Sequence, residues 1–391
     1  MATEYHHGAT VTEVNAAGLS VKTVSTAVIG LVATATDADA STFPLNVAVL
    51  ITNPKALIGK AGIAGTLAKA LQHISDQVSC PVIVVRVAEG ADDAQTSTNV
   101  IGGTAVDGSY TGMQALLTAE AKLGVRPRIL GCPGLDSHEV TTALATVAGK
   151  LRAFAYAYCD AATVADCLTY RQQFSARELM LIWPDFTYFD TTASKTATAL
   201  TIAVALGLRA QLDQTVGWHK TISNVPVNGI TGINKDVYFA FQQTGTDADL
   251  LNAQGVTTLI GRNGYRFWGS RTCDDEQFIF ESYTRTAQVL ADSMAEAMFA
   301  YADKPVTPVL IKDVIDGFNA KGSQFKRDGQ LLGFRAYWDP DLNTADEMKN
   351  GKFTISYEYT PVPPFEQIGL RQSFTDTYFA DLSSAIANAS A

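Results

Sequence analysis

The residues of this chain with the greatest capacity for chemistry stand together at Asp136, Ser137 and His138, an acid, a hydroxyl and an imidazole in consecutive positions. A hydrolase needs such groups aimed at one reacting atom, with a base hydrogen-bonded to the nucleophile and an acid orienting the base. Consecutive residues rarely face one another in that way, and a helix cap accounts for Asp136 and Ser137 together. No GxSxG elbow occurs. The run GKAGIAGT at Gly59–Thr66 places its lysine ahead of the later glycines, unlike a phosphate-cradling loop, and reads as a turn leading into a helix. Asp339, Asp341 and Asn343 imitate the opening of a calcium loop. Thr344 stands where the turn glycine is required and Asn350 where the closing glutamate belongs, so a solvated turn is expected. His6 and His7 are neighbouring imidazoles and make only a weak metal site. Cys80, Cys132, Cys159, Cys167 and Cys273 form no CxxC pair and read as buried, reduced thiols. No catalytic residue, metal or cofactor is therefore expected. Two other readings stay open: an α/β hydrolase with Asp136, His138 or His219 in a cleft, and a calcium-binding adaptor built on the Asp339 loop.

Composition limits the partners. The chain has 391 residues, 47% hydrophobic and 17% charged, a globular balance with length for about two or three domains. A net charge of −10 argues against coating nucleic acid. Within Lys321–Arg335 four basic residues oppose the single acid Asp328, either as a solvated face or as a dock for an acidic partner. The N-terminus lacks a basic region followed by an apolar run, so no signal peptide is expected. The most apolar stretch, Ala197–Leu208, is far short of the roughly 20 residues that span a bilayer.

The elements that would position these groups alternate in type. Strands are predicted within Val24–Ala33, Val47–Ile51, Pro81–Val87, Arg128–Gly131, Phe154–Tyr158, Leu179–Trp183 and Val256–Ile260. Helices are predicted within Gly65–Val78, with Thr66 as cap, and at Met113–Leu123, Glu139–Lys150, Thr163–Phe174 and Ala193–Leu212. Strands alternating with helices of about a dozen residues argue for βαβ units and a largely parallel sheet. Past a Gly-, Asn- and Thr-rich region, Val289, Leu290, Met294, Ala297 and Met298 share one helical face. Leu310, Ile311, Val314, Ile315 and Phe318 share another. A basic turn and a final strand complete an α+β unit, with a boundary near Cys273.

That final stretch decides how the chain relates to its surroundings. Phe353, Ile355, Tyr357 and Tyr359 alternate with polar residues, as in a half-buried strand. Pro361, Pro363 and Pro364 then force an extended exit, and Ile368 and Leu370 open a second alternation with little chain left to pair with. Backbone groups so placed must pair somewhere. One answer is an edge strand within the chain's own sheet; the other is strand addition to a second copy. A short strand-like patch at Thr10–Val14, containing Val11 and Val14, gives the N-terminus the same character.

In chain order, EYHHG, TDADASTFPLN, LITN, PRILGCPGLD, ARELMLIWPDF, GWHKTISNVPVNGITGI, TDADLLNAQGVTTLI, GYRFWGSRTC, YTRTAQVLADSMAEA and YEYTPVPPFEQIGLRQ resemble the contractile tail sheath proteins of phages and R-type pyocins. The resemblance runs from the first residues to about Arg371, apart from Ala91–Val106. It implies a structural polymer, not an enzyme, of stacked hexameric rings around a tail tube, contracting without nucleotide. It also implies a mixed-sheet, subtilisin-like α/β domain at 23–272 and a tube-proximal α+β domain at 273–365, between extended arms at 1–22 and 366–391. No protease triad is identifiable, so the subtilisin likeness is one of shape. The implied partners are neighbouring copies, the tail tube protein, and baseplate and tail-terminator proteins, with no direct nucleic acid and no stable membrane insertion. Assembly would take place in the host bacterial cytoplasm and the product would belong to the particle's tail. On this reading Lys321, Lys326 and Arg327 face the tube, and Val11, Val14, Phe353, Ile355, Tyr357, Tyr359, Ile368 and Leu370 pair between subunits.

Overall fold

A computed structural model describes residue 21 and residues 23–390; the strand residues expected at Val11 and Val14 lie outside the described residues. Strand β1 (Ile29–Thr34) is buried along its whole length, as a strand covered on both faces must be. Ile29, Leu31 and Ala33 enter one core, while Val28 and Val32 enter the other. Next come β2 (Ala48–Ile51), the short helix α1 (Pro54–Leu57), α2 (Leu67–Gln77), β3 (Val82–Val87) and α3 (Asp93–Ile101). The helix expected at Met113–Leu123 is a tighter 3₁₀ segment, Gly112–Thr118, that relaxes into α4 (Ala119–Leu123). Then β4 (Ile129–Gly131), α5 (His138–Leu151), β5 (Phe154–Tyr158), α6 (Val164–Arg171) and β6 (Leu179–Ile182) repeat the strand–helix unit.

The predicted helix from Ala193 is shorter than expected. Lys195–Thr198 (β8) instead pairs antiparallel with β7 (Phe186–Asp190), and α7 (Thr201–Thr215) starts only after that hairpin. A pairing made across a turn has overridden local propensity. β7 also pairs with β9 (Gly232–Ile233), closing a three-stranded antiparallel sheet. Helix α8 (Asp247–Ala253), opened by a Thr246–Asp249 capping box, leads to β10 (Val256–Gly261) and β11 (Tyr265–Trp268). The main sheet thus has eight strands in the order β11-β10-β6-β5-β4-β1-β3-β2, parallel in the middle and antiparallel at both edges. It is a mixed sheet with helices on both faces, and α7, buried almost all round, packs on α2 across one of them.

The remainder forms a second unit. Helices α9 (Glu281–Phe299) and α10 (Pro308–Arg327) pack with β12 (Leu331–Trp338) and, past the short α11 (Ala345–Lys349), β13 (Ile355–Pro361). Val289, Leu290, Met294, Val314, Phe318 and Phe325 form its core, joined by Val21 and Trp218 from elsewhere in the chain. Gly322 permits the contact of α10 with β12, because a Cβ there would come within 2.1 Å of the Phe334 ring. The tail ends in α12 (Thr377–Ala389). Among the described residues no helix is long and apolar enough to cross a membrane.

Candidate functional site

The terminal strands are the first candidate. β13 pairs antiparallel with β12, with Phe334 opposite Tyr359 and Ala336 opposite Tyr357, after a bulge between Leu331 and Gly333. The strand is therefore not carried out of its own unit: Ile355, Tyr357 and Tyr359 turn half-buried onto the α9–α10 core, and Tyr357 stacks on Phe334 at 5.7 Å. Phe353 lies ahead of the strand, in the approach to it. Among the described residues this sheet has only two strands, so one edge of each is left without a ladder partner.

What leaves the unit is the segment after Pro361. Arg271 holds Glu366 in a two-pronged ion pair at 2.8 and 2.9 Å, and this contact keeps the guanidinium's pKa above its ordinary value. Beyond it Ile368 is exposed, Phe374 is 86% exposed and Leu370 91%. The strand expected at Ile368 and Leu370 is absent: residues 362–376 carry no regular structure and α12 follows. Alternation alone cannot make a strand where no neighbour supplies the hydrogen bonds.

The basic residues occupy the end of α10 and not a turn. Lys321 is half-buried over the Phe325 ring at 4.8 Å, and burial lowers its pKa against the pull of Asp328. Lys326 and Arg327 are exposed in the last turn, where cations suit the helix dipole. At 100° per residue they project roughly 140° and 120° away from Lys321, so the three do not share one face.

The catalytic and metal candidates take structural roles. Ser137 caps α5, accepting from the Val140 amide at 3.4 Å, while His138 packs on Tyr170 and Phe174. His219 sits beside Trp218, its pKa lowered by burial and by Arg209. A cleft of about 560 Å³ does contain Asp136 and Ser137, but neither His138 nor His219 lines it, and the Ser137 hydroxyl is engaged with Ser97 and the Val140 amide. In the turn before α2, the Ile63 and Ala64 amides donate to Asp37 at 2.9 and 3.0 Å, so the chain's own carboxylate fills the place of a phosphate. Thr66 accepts from the Thr34 amide at 3.2 Å instead of capping α2. Asn343 is buried: its amide nitrogen donates to the Asp339 and Thr354 carbonyls at 2.7 and 2.8 Å, and its oxygen accepts from Thr354 at 2.7 Å. It joins the two ends of the β12–β13 connection in place of a calcium ion. Among the described residues no group of three His, Cys, Asp or Glu is placed to hold a metal, and all five cysteines are free and buried.

Two features escaped the sequence reading. Asp160 and Asp185 line the cleft with Asp136; each follows one of the consecutive strands β4, β5 and β6 by a few residues, a spacing that marks the carboxyl end of a parallel sheet. The other is a buried charge network under α9. Arg209 and Asp213 of α7 pair at 2.7 Å, Arg209 reaches Glu281 at 3.0 Å, and Arg285 pairs with Asp213. Burial opposes the Arg209 charge, yet Asp213 and Glu281 outweigh it and raise its pKa. Further along α9, Asp292 collects Arg128, Arg152 at 2.9 Å and Arg126 at 3.6 Å.

Known proteins place this architecture. Residues 108–273 match the phage tail sheath protein central domain and residues 273–375 the phage tail sheath C-terminal domain. Residues 26–87 match the N-terminal region of domain III of the tail sheath protein Gp18. The tail sheath protein of Escherichia phage P2 is 54% identical over 98% of this chain and 99% of its own length. The major tail sheath protein of Serratia phage KSP20 is 50% identical over 97% and 98%. In fold, the chain resembles the helical sheath of the anti-feeding prophage in its contracted state, with a TM-score of 0.71 at 18% identity over 95% of this chain and 99% of that one. The sheath of an extracellular contractile injection system, also contracted, gives 0.69 at 15% identity over 95% and 98%. Nothing in these relatives supports a hydrolase, and the chain belongs to the contractile phage tail sheath protein family.

Proposed function

We propose that the chain polymerises as stacked hexameric rings around a tail tube and contracts without nucleotide, driving the tube through a cell envelope, with no enzymatic activity of its own. The observation that carries this is the two-stranded β12–β13 sheet with, among the described residues, an open edge on each side, next to a tail whose apolar side chains are exposed. Two-stranded sheets are marginal in water, and exposed apolar patches mark surfaces that meet partners. Strand addition on both edges completes the sheet: the segments holding Val11 and Val14, and Ile368 and Leu370, supply strands to neighbouring copies beside Phe353, Ile355, Tyr357 and Tyr359. Such pairing is head-to-tail and propagates instead of closing. Each strand added contributes several backbone hydrogen bonds of about 0.5–1.5 kcal/mol.

On this reading residues 1–22 and 366–391 are arms, 23–272 the subtilisin-like α/β domain and 273–365 the tube-proximal domain. Lys326 and Arg327, with Lys321 behind them, face the tube; baseplate and tail-terminator proteins cap the polymer. Assembly takes place in the host cytoplasm and involves neither nucleic acid nor membrane insertion. Even about 1 kcal/mol released per subunit, less than many single substitutions cost, sums over many copies to a large directed output. Negative-stain microscopy of concentrated protein tests the reading: long tubes are expected, and a chain that stays monomeric at every concentration, alone or with tail tubes, refutes it.

A further inference from the structure

At the carboxyl ends of β4, β5 and β6, where open α/β sheets receive ligands, the cleft of about 560 Å³ runs between α3 and the start of α7. Its charged lining residues are Asp93, Asp136, Asp160 and Asp185, and neither lysine nor arginine is among the residues that form its wall. Asp136 is only 8% exposed; one carboxyl oxygen accepts from the Gly134 amide at 3.2 Å, while Oδ1 makes no well-aligned hydrogen bond and has only the weak pull of the Tyr158 backbone. Burial pushes the Asp136 carboxyl well above its ordinary range, and Asp185 and Asp160 push it further. Burial raises Asp185 to about 6. Among the described residues no cation offsets either group, and only the hydroxyl and amide of Thr201 partly relieve Asp185.

Buried carboxylates without a counter-charge are costly, and a bound cation removes that cost. A chelated metal ion fits poorly, because the carboxylates are not grouped closely enough to hold one. The volume suits a small organic group instead. Ammonium and guanidinium groups carry several donors on a flexible stem and reach separated acceptors. We infer that the cleft at Asp136, Asp160 and Asp185 binds a primary ammonium group, from a free polyamine or from a lysine of a second copy of the chain. Asp160 and Asp185 make the contacts, and Asp136 lies buried behind them.

Putrescine, titrated into the full-length chain by calorimetry at constant ionic strength, is the first probe. Saturable binding is expected, weakened about tenfold by Asp160→Asn or Asp185→Asn and unchanged by Asp346→Asn in α11. Asp160 is exposed, so its variant remains informative if the Asp185 variant fails to fold. The second arm, which rests on the sheath reading, treats assembled protein with a carbodiimide and seeks a link from Asp160 or Asp185 to a lysine of another copy. Either positive arm upholds the site and identifies its source. Absence of both overturns it, as does binding of calcium or magnesium with putrescine inert; a positive putrescine arm stands even if no polymer forms.

Discussion

Replacing Glu281 by alanine should unfold the junction between α9 and the main sheet. Glu281 is fully buried and accepts from Arg209 at 3.0 Å, from Thr221 at 3.3 Å, from the Ile222 amide at 3.5 Å and from the Tyr156 hydroxyl. Its removal leaves Arg209 with Asp213 at 2.7 Å as the one remaining carboxylate partner, and strands a buried tyrosine hydroxyl. Breaking a buried pair from one side costs about 3–5 kcal/mol, and an orphaned polar group about 1–3 kcal/mol. The two losses share a partner and are not additive, and Asp213 softens the first, so about 4 kcal/mol is expected in total. Glu281→Gln keeps an acceptor but not the charge and should cost about half as much. Urea unfolding of the dilute full-length chain, followed by tryptophan fluorescence and circular dichroism, measures both; Trp218 in the second unit's core reports on the α9 side. If Glu281→Ala loses less than about 1 kcal/mol, or the alanine and glutamine variants are equal, the network is not what holds α9 in place.

Deleting residues 1–20, or everything after Pro364, should yield folded chains that no longer form tubes, the second losing from its circular dichroism only the helical signal of α12; an assembling truncation would refute strand exchange. Charge reversal at Lys326 and Arg327 should abolish co-sedimentation with tail tubes without affecting folding, and normal docking would remove these residues from the tube contact. Asn343→Ala should cost about 1–3 kcal/mol in urea unfolding, because it frees the Thr354 amide and two carbonyls at once. Burial holds the Asp185 carboxyl at about 6 against an ordinary 3.8, so the folded chain binds this proton more tightly than the unfolded one. That contribution is complete below about pH 4 and is lost as pH rises through about 6; Asp185→Asn should therefore flatten the stability–pH profile in this window by up to roughly 3 kcal/mol.

The parallel core was legible because its strands are buried on both faces. Leu179–Ile182 is a continuous apolar run and Val82–Val87 is broken only by the buried Arg86, while α2 and α5 keep 3.6-residue spacing. Lys195–Thr198 was not legible: it is a strand only because Tyr188 and its neighbours lie opposite, a fact about position in space. The tail is the complementary case, since Ile368 and Leu370 alternate as strand residues do but are exposed and pair with no strand among the described residues. Of the cleft, the sequence offers only Asp136, in the guise of a cap residue beside Ser137. Its link to Asp160 and Asp185 depends on sheet order, because β4, β5 and β6 must be neighbours before the three carboxylates can converge.

The open edges of β12 and β13 raise the question of why such a chain would exchange strands without aggregating indiscriminately. The sheet is held from three sides before any partner arrives: Asn343 ties its connection, Gly322 lets α10 close on Phe334, and the half-buried face of β13 rests on the second unit's core. An incoming strand therefore meets a preformed edge and bears only its own ordering cost, and the bulge after Leu331 limits the registers that fit. The ion pairs under α9 tie that sheet's unit to the main sheet through charges that are expensive to separate. If copies rearrange while remaining linked, the α9 interface is the least favourable place to yield. The segment after the Arg271–Glu366 pair, with no regular structure from 367 to 376, is the most favourable, because displacing it breaks no ladder and exposes no new core. Crosslinking α7 to α9 should then leave contraction intact, whereas shortening 367–376 by a few residues should block it while permitting assembly; contraction lost on locking α9 would place the hinge inside the subunit and refute this division of labour.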